Sequence, residues 1–408
     1  MTTVLPTELA HAHALDAADP LASFRGRFAI ADRGLVYLDG NSLGRLPLRT
    51  QARIATVVGH EWAVDLIRGW ERWLDMPERV GDLIAATLLG ARPGEVIVSD
   101  STTVNLFKLA DAALEARPGR RTVLVSRDEF PTDRYVIEGL ASRRGLTIRW
   151  IATDPVNGVQ PGDVSALLDA DVALVVLSLV NYRSAAIADL PAITSIARAA
   201  GALVLWDLSH AAGSIPIRLA EDVADLAVGC TYKYLDGGPG SPAFLYVRRE
   251  LLGELRNPIQ GWFGQRDQFQ MGPTYDPEPG IRRWLTGTPG IVALSAVEEG
   301  VRLLADAGME RIRAKGIALT EFAIALHDAW LAPLGFGLGS PRDAAVRGAH
   351  VAVRRADARE LTGRLIALGV IPDFRAPDSI RLGLSPLSTS FADVHRGLAA
   401  LRDLAGSR

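Results

Sequence analysis

Short apolar runs alternate along the chain with segments whose apolar residues recur at helical spacing. The runs are RTVLVS (121–126), LTIRWIA (146–152), VALVVLSLV (172–180), ALVLWD (202–207), DLAVGC (225–230) and AFLYVRR (243–249). Each is apolar at successive positions, so both faces call for burial, and segments such as LPAITSIARAAG (190–201) lie between them. That order predicts an α/β unit with a mostly parallel central sheet and helices on both faces. From about 253 to 290 the rhythm stops in a stretch rich in Gly, Pro and aromatics, which predicts a long structured loop region of the kind that usually carries function. Helical patterns over 291–330 then lead into HVAVRR, ELTGRLIALGV, SIRLGLS and FADVHRGLAALRDL, a smaller α+β unit. The expected division is 1–45 as a segment packing with the small domain, 46–300 as the large domain and 301–408 as the small one.

Composition adds mainly exclusions. At 408 residues, 48% hydrophobic and 22% charged, the chain is long enough for two or three ordinary globular domains. A net charge of −3 gives no general field for nucleic acid or membrane. The only cysteine, Cys230, rules out an internal disulfide and a Cys-rich zinc site. No run of about 18 uninterrupted apolar residues is present, and MTTVLPTELAHAHALDAADP does not read as a signal peptide. A cytoplasmic location is expected. His11 and His13 form an H-x-H pair without a ligand nearby to complete a set, so no metal is expected.

The candidate chemistry gathers where strands end, which is where ligands collect in open α/β sheets. Asp207 closes ALVLWD, Ser178 lies late in VALVVLS, DEFPTD (128–133) follows RTVLVS, and Lys233 follows DLAVGCTY. Lys108, Lys233 and Lys315 are the only lysines among 44 basic residues. A chain that otherwise uses arginine has a reason to place lysine where an amine must attack a carbonyl. A lysine and a carboxylate on neighbouring strand ends meet the two demands of pyridoxal 5'-phosphate, an amine for its aldehyde and an anion beside its ring nitrogen; a structural ion pair would use the same residues. His210, three positions past Asp207, can brace the carboxylate or flank the ring. Ser101, Thr102 and Thr103 open a helical segment, where they can cap it or hold a phosphate.

Six motifs carry a family resemblance: YLDGNSLG (37–44), NLFK (105–108), FPTD (130–133), WDLSHAAGS (206–214), GCTYKYLDGGPGS (229–241) and GWFG (261–264). The chain resembles the kynureninases end to end, pyridoxal-phosphate enzymes of the aspartate-aminotransferase fold (fold type I). The resemblance implies hydrolytic Cβ–Cγ cleavage of L-kynurenine, or its 3-hydroxy derivative, to anthranilate (or 3-hydroxyanthranilate) and L-alanine in tryptophan degradation. It implies that Lys233 carries the cofactor and moves the α proton, that Asp207 pairs with the ring nitrogen, and that His210 and Phe130 flank the ring. Thr102, Thr103, Asp133, Ser178 and Tyr232 would hold the phosphate and ring substituents, with Tyr232 also assisting hydration of the ketone. Trp262 and Thr288 would complete the phosphate site from the neighbouring subunit of an obligate homodimer. Arg381 would receive the substrate α-carboxylate, with Arg375 the competing candidate, and Ser42, Trp70 and Thr288 would shape the substrate pocket. Asp236 departs from the asparagine of some relatives. Two rival readings are a cysteine desulfurase or selenocysteine lyase, for which Cys230 is poorly placed, and a non-catalytic cofactor-binding regulator.

Overall fold

The structure is a computed structural model that describes residues 7–32 and 34–407. Among the described residues the strands, in chain order, are β1 (Val36–Tyr37), β2 (Val96–Val98), β3 (Thr122–Ser126), β4 (Thr147–Ile151), β5 (Val172–Ser178), β6 (Leu203–Asp207), β7 (Leu226–Gly229), β8 (Phe244–Val247), β9 (Gly337–Leu338), β10 (His350–Arg354), β11 (Val370–Ile371), β12 (Asp373–Arg375) and β13 (Ser379–Gly383).

Strands β2 to β8 form one sheet in the order β2-β8-β7-β6-β5-β3-β4. Pairing is parallel from β4 through β3, β5 and β6 to β7, and β8 alone runs the other way, antiparallel to both β7 and β2. All six apolar runs become strands of this sheet. β2 is the one it takes from a shorter apolar stretch that the pattern had not marked. Because β5 and β6 are buried on both faces, the sheet divides two apolar layers, one holding Val175, Val204 and Trp206 and the other Val176, Leu205 and Val228. The region 253–290 is a chain of short 3-10 turns, as its composition predicts.

The small domain is a four-stranded antiparallel sheet, β12-β13-β10-β9, covered by the helices Met309–Leu326, Ala358–Ala367 and Phe391–Gly406. The helical run Met309–Leu334 is, among the described residues, the one long and apolar enough to cross a membrane. Here Leu319, Phe322 and Leu326 of that run belong to the small-domain core, and Lys315 pairs with buried Asp19 at 2.6 Å.

Two boundaries differ from the expected division. The helix Ile291–Ala307 runs unbroken through position 300, with Val297, Val301 and Leu304 in the large-domain core, and stops at Gly308, whose φ of 81° suits glycine. The N-terminal segment straddles both domains: Asp16 accepts from Phe391 N and Ala392 N (2.7 and 3.0 Å) and β1 pairs with β11, whereas Leu21, Phe24 and Phe28 enter the large-domain core. Residues 1–6 of that segment, and of the stretch examined for a signal, lie outside the described residues.

Candidate active site

β5 and β6 are parallel neighbours with Ser178 directly opposite Asp207, so their carboxyl ends present both side chains on one rim. Ser209 N donates to Asp207 Oδ1 (2.7 Å), which fixes the carboxylate in the turn that follows β6. The loop after β7 brings Lys233 back over that turn, where its Nζ stands 3.0 Å from His210 Nε2. The same amine lies 5.8 Å from the centre of the Phe130 ring and 5.9 Å from that of Tyr232. Gly44 explains how GNSLG and the lysine loop depend on each other: Gly44 N donates to Tyr232 O (2.8 Å), and a Cβ there would collide with Lys233 O and the Asp236 carboxyl.

These groups line a cavity of about 320 Å³ together with Asp100, Ser101, Thr102, Thr103, Asp133, Ser178, Tyr182 and Ser241. On one side is the amino end of the helix Thr102–Glu115, where Ser101 Oγ accepts from Val104 N (3.3 Å) and the first turn's remaining N–H groups favour an anion. Phe130, edge-on to Tyr182 at 5.4 Å, precedes the helix Pro131–Arg144, whose first turn carries Asp133. Asp133 is buried beside Asp207, and no N–H or hydroxyl donor reaches its carboxyl oxygens. Burial, then the charges of Asp207 and Glu129, push it well above the usual carboxylate range.

Glu129 lies within DEFPTD, where the sequence alone assigns it no role. Its Oε2 accepts from Ser178 N (3.0 Å) and from Ser178 Oγ, so Ser178 is committed to this carboxyl. Burial pushes Glu129 up to about 7 against those two bonds, with Asp207 and Asp128 raising it further. The folded protein therefore keeps a proton that the unfolded chain releases from about pH 4.5, and stability is lost as pH rises from there through about 7. Glu129→Gln keeps an acceptor for Ser178. In the cofactor-free protein it is expected to leave thermal melting unchanged near pH 5 and to raise it near pH 8, by roughly 3 kcal/mol at most. Equal melting of the two proteins near pH 8 would contradict this.

The cavity fits pyridoxal 5'-phosphate on its own residues. It offers one amine, a phosphate-sized end at a helix terminus and an aromatic face. At the strand rim stands the Asp207 carboxylate, with buried Asp133 beside it, where a protonated ring nitrogen would find its anion. The other two lysines are occupied elsewhere. Lys108 Nζ, fully buried, donates to Asp100 Oδ2 (2.8 Å) and Trp284 O (2.7 Å), and Lys315 is paired with Asp19. Cys230 is buried, and burial pushes its thiol up, away from nucleophilic use. Among the described residues no group of three His, Cys, Asp or Glu could hold a metal.

The residues expected to bind substrate lie apart from the cofactor cavity. Arg381, on β13 and 1% exposed, donates from Nη1 to Tyr182 O (2.6 Å) and from Nη2 to Ser42 Oγ (2.7 Å) and Asp373 Oδ2 (2.6 Å). The Asn41 carboxamide oxygen accepts from its Nε (3.0 Å). Arg381 therefore ties the domains together and reaches Ser42, and a substrate carboxylate must share or displace one of these bonds. Arg375 shares Asp373 at 2.6 Å, and its Nε is buried without a partner. Burial pushes nearby Asp39 up to about 6 against the Ser42 hydroxyl.

Trp70, Trp262 and Thr288 do not line the cavity of their own chain. Trp70 packs on Trp73 and Phe263, Trp262 is 41% exposed, and Thr288 borders a second cavity that meets the first at Asp100 and Gly240. Asp236 is buried in a left-handed turn (φ 53°), donates its N–H to Lys233 O (3.0 Å), and is raised well above the carboxylate range by burial. Tyr182 and His350, which flank the site, had no sequence signal. Asp39 was visible in YLDGNSLG.

Family models match two parts of the chain: aminotransferase class-V over residues 78–330 and the kynureninase C-terminal domain over 312–401. A kynureninase of Pseudomonas fluorescens is 42% identical over 399 residues, covering 96% of this chain and 94% of that protein. One from Burkholderia pseudomallei (strain 1106a) is 43% identical with the same coverage. Among solved structures, the apo cysteine desulfurase of Thermococcus onnurineus NA1 matches with a TM-score of 0.83 at 17% identity, covering 95% of this chain and 98% of that one. The cysteine desulfurase CsdA of Escherichia coli matches at 0.81 and 18%, covering 94% and 98%. At such identities the structural likeness speaks for the fold alone.

Proposed function

The chain belongs to the kynureninase family within the class-V aminotransferases and uses pyridoxal 5'-phosphate, and from that premise we propose that it hydrolyses L-kynurenine to anthranilate and L-alanine. The observation that carries this reading is the convergence of Asp207, His210 and Lys233 on one cavity. The bound cofactor supplies the electron sink for breaking bonds at the substrate's α carbon and then between Cβ and Cγ. Asp207 would accept the ring N–H. Lys233 would take the α proton as a general base and return a proton later. Phe130 would lie against the ring, and Thr102 and Thr103 would hold the phosphate at the helix terminus. The Tyr232 hydroxyl, raised by burial so that it keeps its proton, assists water addition to the γ carbonyl and protonation of the leaving carbon. Arg381 and Ser42 orient the substrate. The decisive experiment adds L-kynurenine to cofactor-loaded protein and follows anthranilate fluorescence together with alanine. Equimolar release is expected, and absence of both products refutes the reading. The single buried Cys230 supports a cytoplasmic setting.

We also infer that the active form is a homodimer with shared sites. The exposed Trp262, with Phe269 beside it at 6.0 Å and 61% exposed, and the position of Thr288 outside its own cavity support this. Mixing inactive Lys233→Ala with inactive Trp262→Ala and allowing exchange is expected to restore about one quarter of wild-type turnover, because the hybrid owns one site with neither defect. Mixtures that stay inactive after exchange would mean that each chain completes its own site.

A further inference from the structure

His350 opens β10, is wholly buried, and neither of its ring nitrogens reaches a hydrogen-bond partner. A buried polar group left idle costs on the order of 1–3 kcal/mol, so an apolar side chain of similar size would serve packing better. Its ring lies 5.6 Å from that of His210, tilted by 60°. Two imidazoles joined by an N–H···N bond of about 3 Å have centres roughly 5 Å apart, close to the separation of this pair. His210 Nδ1 is idle too, while its Nε2 faces Lys233 Nζ at 3.0 Å.

We propose that His350 is a positioning residue: as acceptor for His210 Nδ1–H, it holds His210 in the tautomer whose Nε2 lone pair points at the Lys233 nitrogen. The proposal rests on the reading of Lys233 as the cofactor-bearing amine. The charged groups acting on the two rings are Lys233 from the loop after β7, Arg375 on β12 and Arg381 on β13. All are cations, and together with burial, the larger cause, they hold both imidazoles neutral. A neutral imidazole has one donor and one acceptor, so one shared proton orders both rings. The main chain of Arg183 acts on His350 as an acceptor without reaching hydrogen-bond geometry, which favours a proton on one nitrogen and leaves the other a lone pair. His350 stands opposite Gly383 and Ala352 opposite Arg381, so His350 and Arg381 share one face of the small sheet.

A lone pair facing the Lys233 nitrogen favours its protonated form, and an N–H facing it favours the deprotonated form. The test titrates the visible absorbance of cofactor-loaded protein against pH for wild type, His350→Leu and His350→Gln. In His350→Leu the midpoint is expected to fall by about one pH unit, with kcat about tenfold lower at an unchanged KM. His350→Gln, whose amide both donates and accepts, is expected to return the midpoint to within about 0.3 of wild type. A wild-type midpoint in His350→Leu overturns the proposal, as does an equal fall in His350→Gln. Should His350→Leu not fold, nitrogen-15 spectra of histidine-labelled wild-type holoenzyme decide: His210 protonated on Nδ1 is expected, and protonation on Nε2 overturns the idea. A wild-type protein whose cofactor is not bound through Lys233 would instead defeat the underlying reading.

Discussion

Lys233→Ala is expected to abolish turnover, lowering kcat by at least about four orders of magnitude, while the chain still folds. The size of the effect follows from the two duties proposed for one amine, holding the cofactor aldehyde and moving the α proton. No neighbour can substitute. Lys108 is fully buried against Asp100 and the Trp284 carbonyl, and Lys315 is locked to Asp19 on the N-terminal segment. His210 is held neutral well below its usual range by burial and by Lys233 itself, so it is a poor base for the task. The companion measurement uses wild-type protein: borohydride should bleach its yellow colour and leave the cofactor fixed to the peptide containing Lys233. Label on Lys108 or Lys315, or residual turnover above about one per cent in Lys233→Ala, would overturn the assignment. Asp207→Ala should weaken cofactor binding and leave little turnover, because an unprotonated ring is a poorer electron sink.

Arg381→Ala is expected to keep the bound cofactor but lose at least about two orders of magnitude in kcat/KM, roughly 2.7 kcal/mol of transition-state stabilisation. A planar guanidinium can hold a carboxylate by two parallel bonds, and that grip also sets the Cα–H bond over the ring. The surroundings sharpen the test. Arg381 is engaged at all three nitrogens, including Asp373 and the Tyr182 carbonyl, so its removal also takes away one tie between the domains and leaves Asp373 with Arg375. A stability loss should therefore accompany the kinetic one. Arg381→Lys, which retains the charge but not the fork, should recover stability more than kcat/KM. Near-normal kinetics in Arg381→Ala with collapse in Arg375→Ala would make Arg375 the carboxylate receptor.

Six of the seven strands of the large sheet were legible in the sequence as apolar runs, which burial on both faces forces on the central ones. The rim of strand ends was legible for a related reason, since Asp207 and Ser178 sit where those runs end. Lys233 stood out through composition, as one of three lysines in an arginine-rich chain. Glu129 stands in DEFPTD, but its raised carboxyl depends on burial and on Asp207 arriving from another strand, against the bonds from Ser178.

What the sequence by itself determined was therefore which elements form and which chemical groups stand at their ends, since these follow from local periodicity and residue type. Only the tertiary structure decided that the helix Ile291–Ala307 carries the large-domain core past position 300, that Lys108 and Lys315 are spent on buried ion pairs, and that Arg381 is bound on every side. It alone set His350 against His210, across more than a hundred residues of chain. Such facts arise from contacts between distant segments, and desolvation, which sets the charge of Glu129, Asp133 and both histidines, exists only once those segments have closed around them.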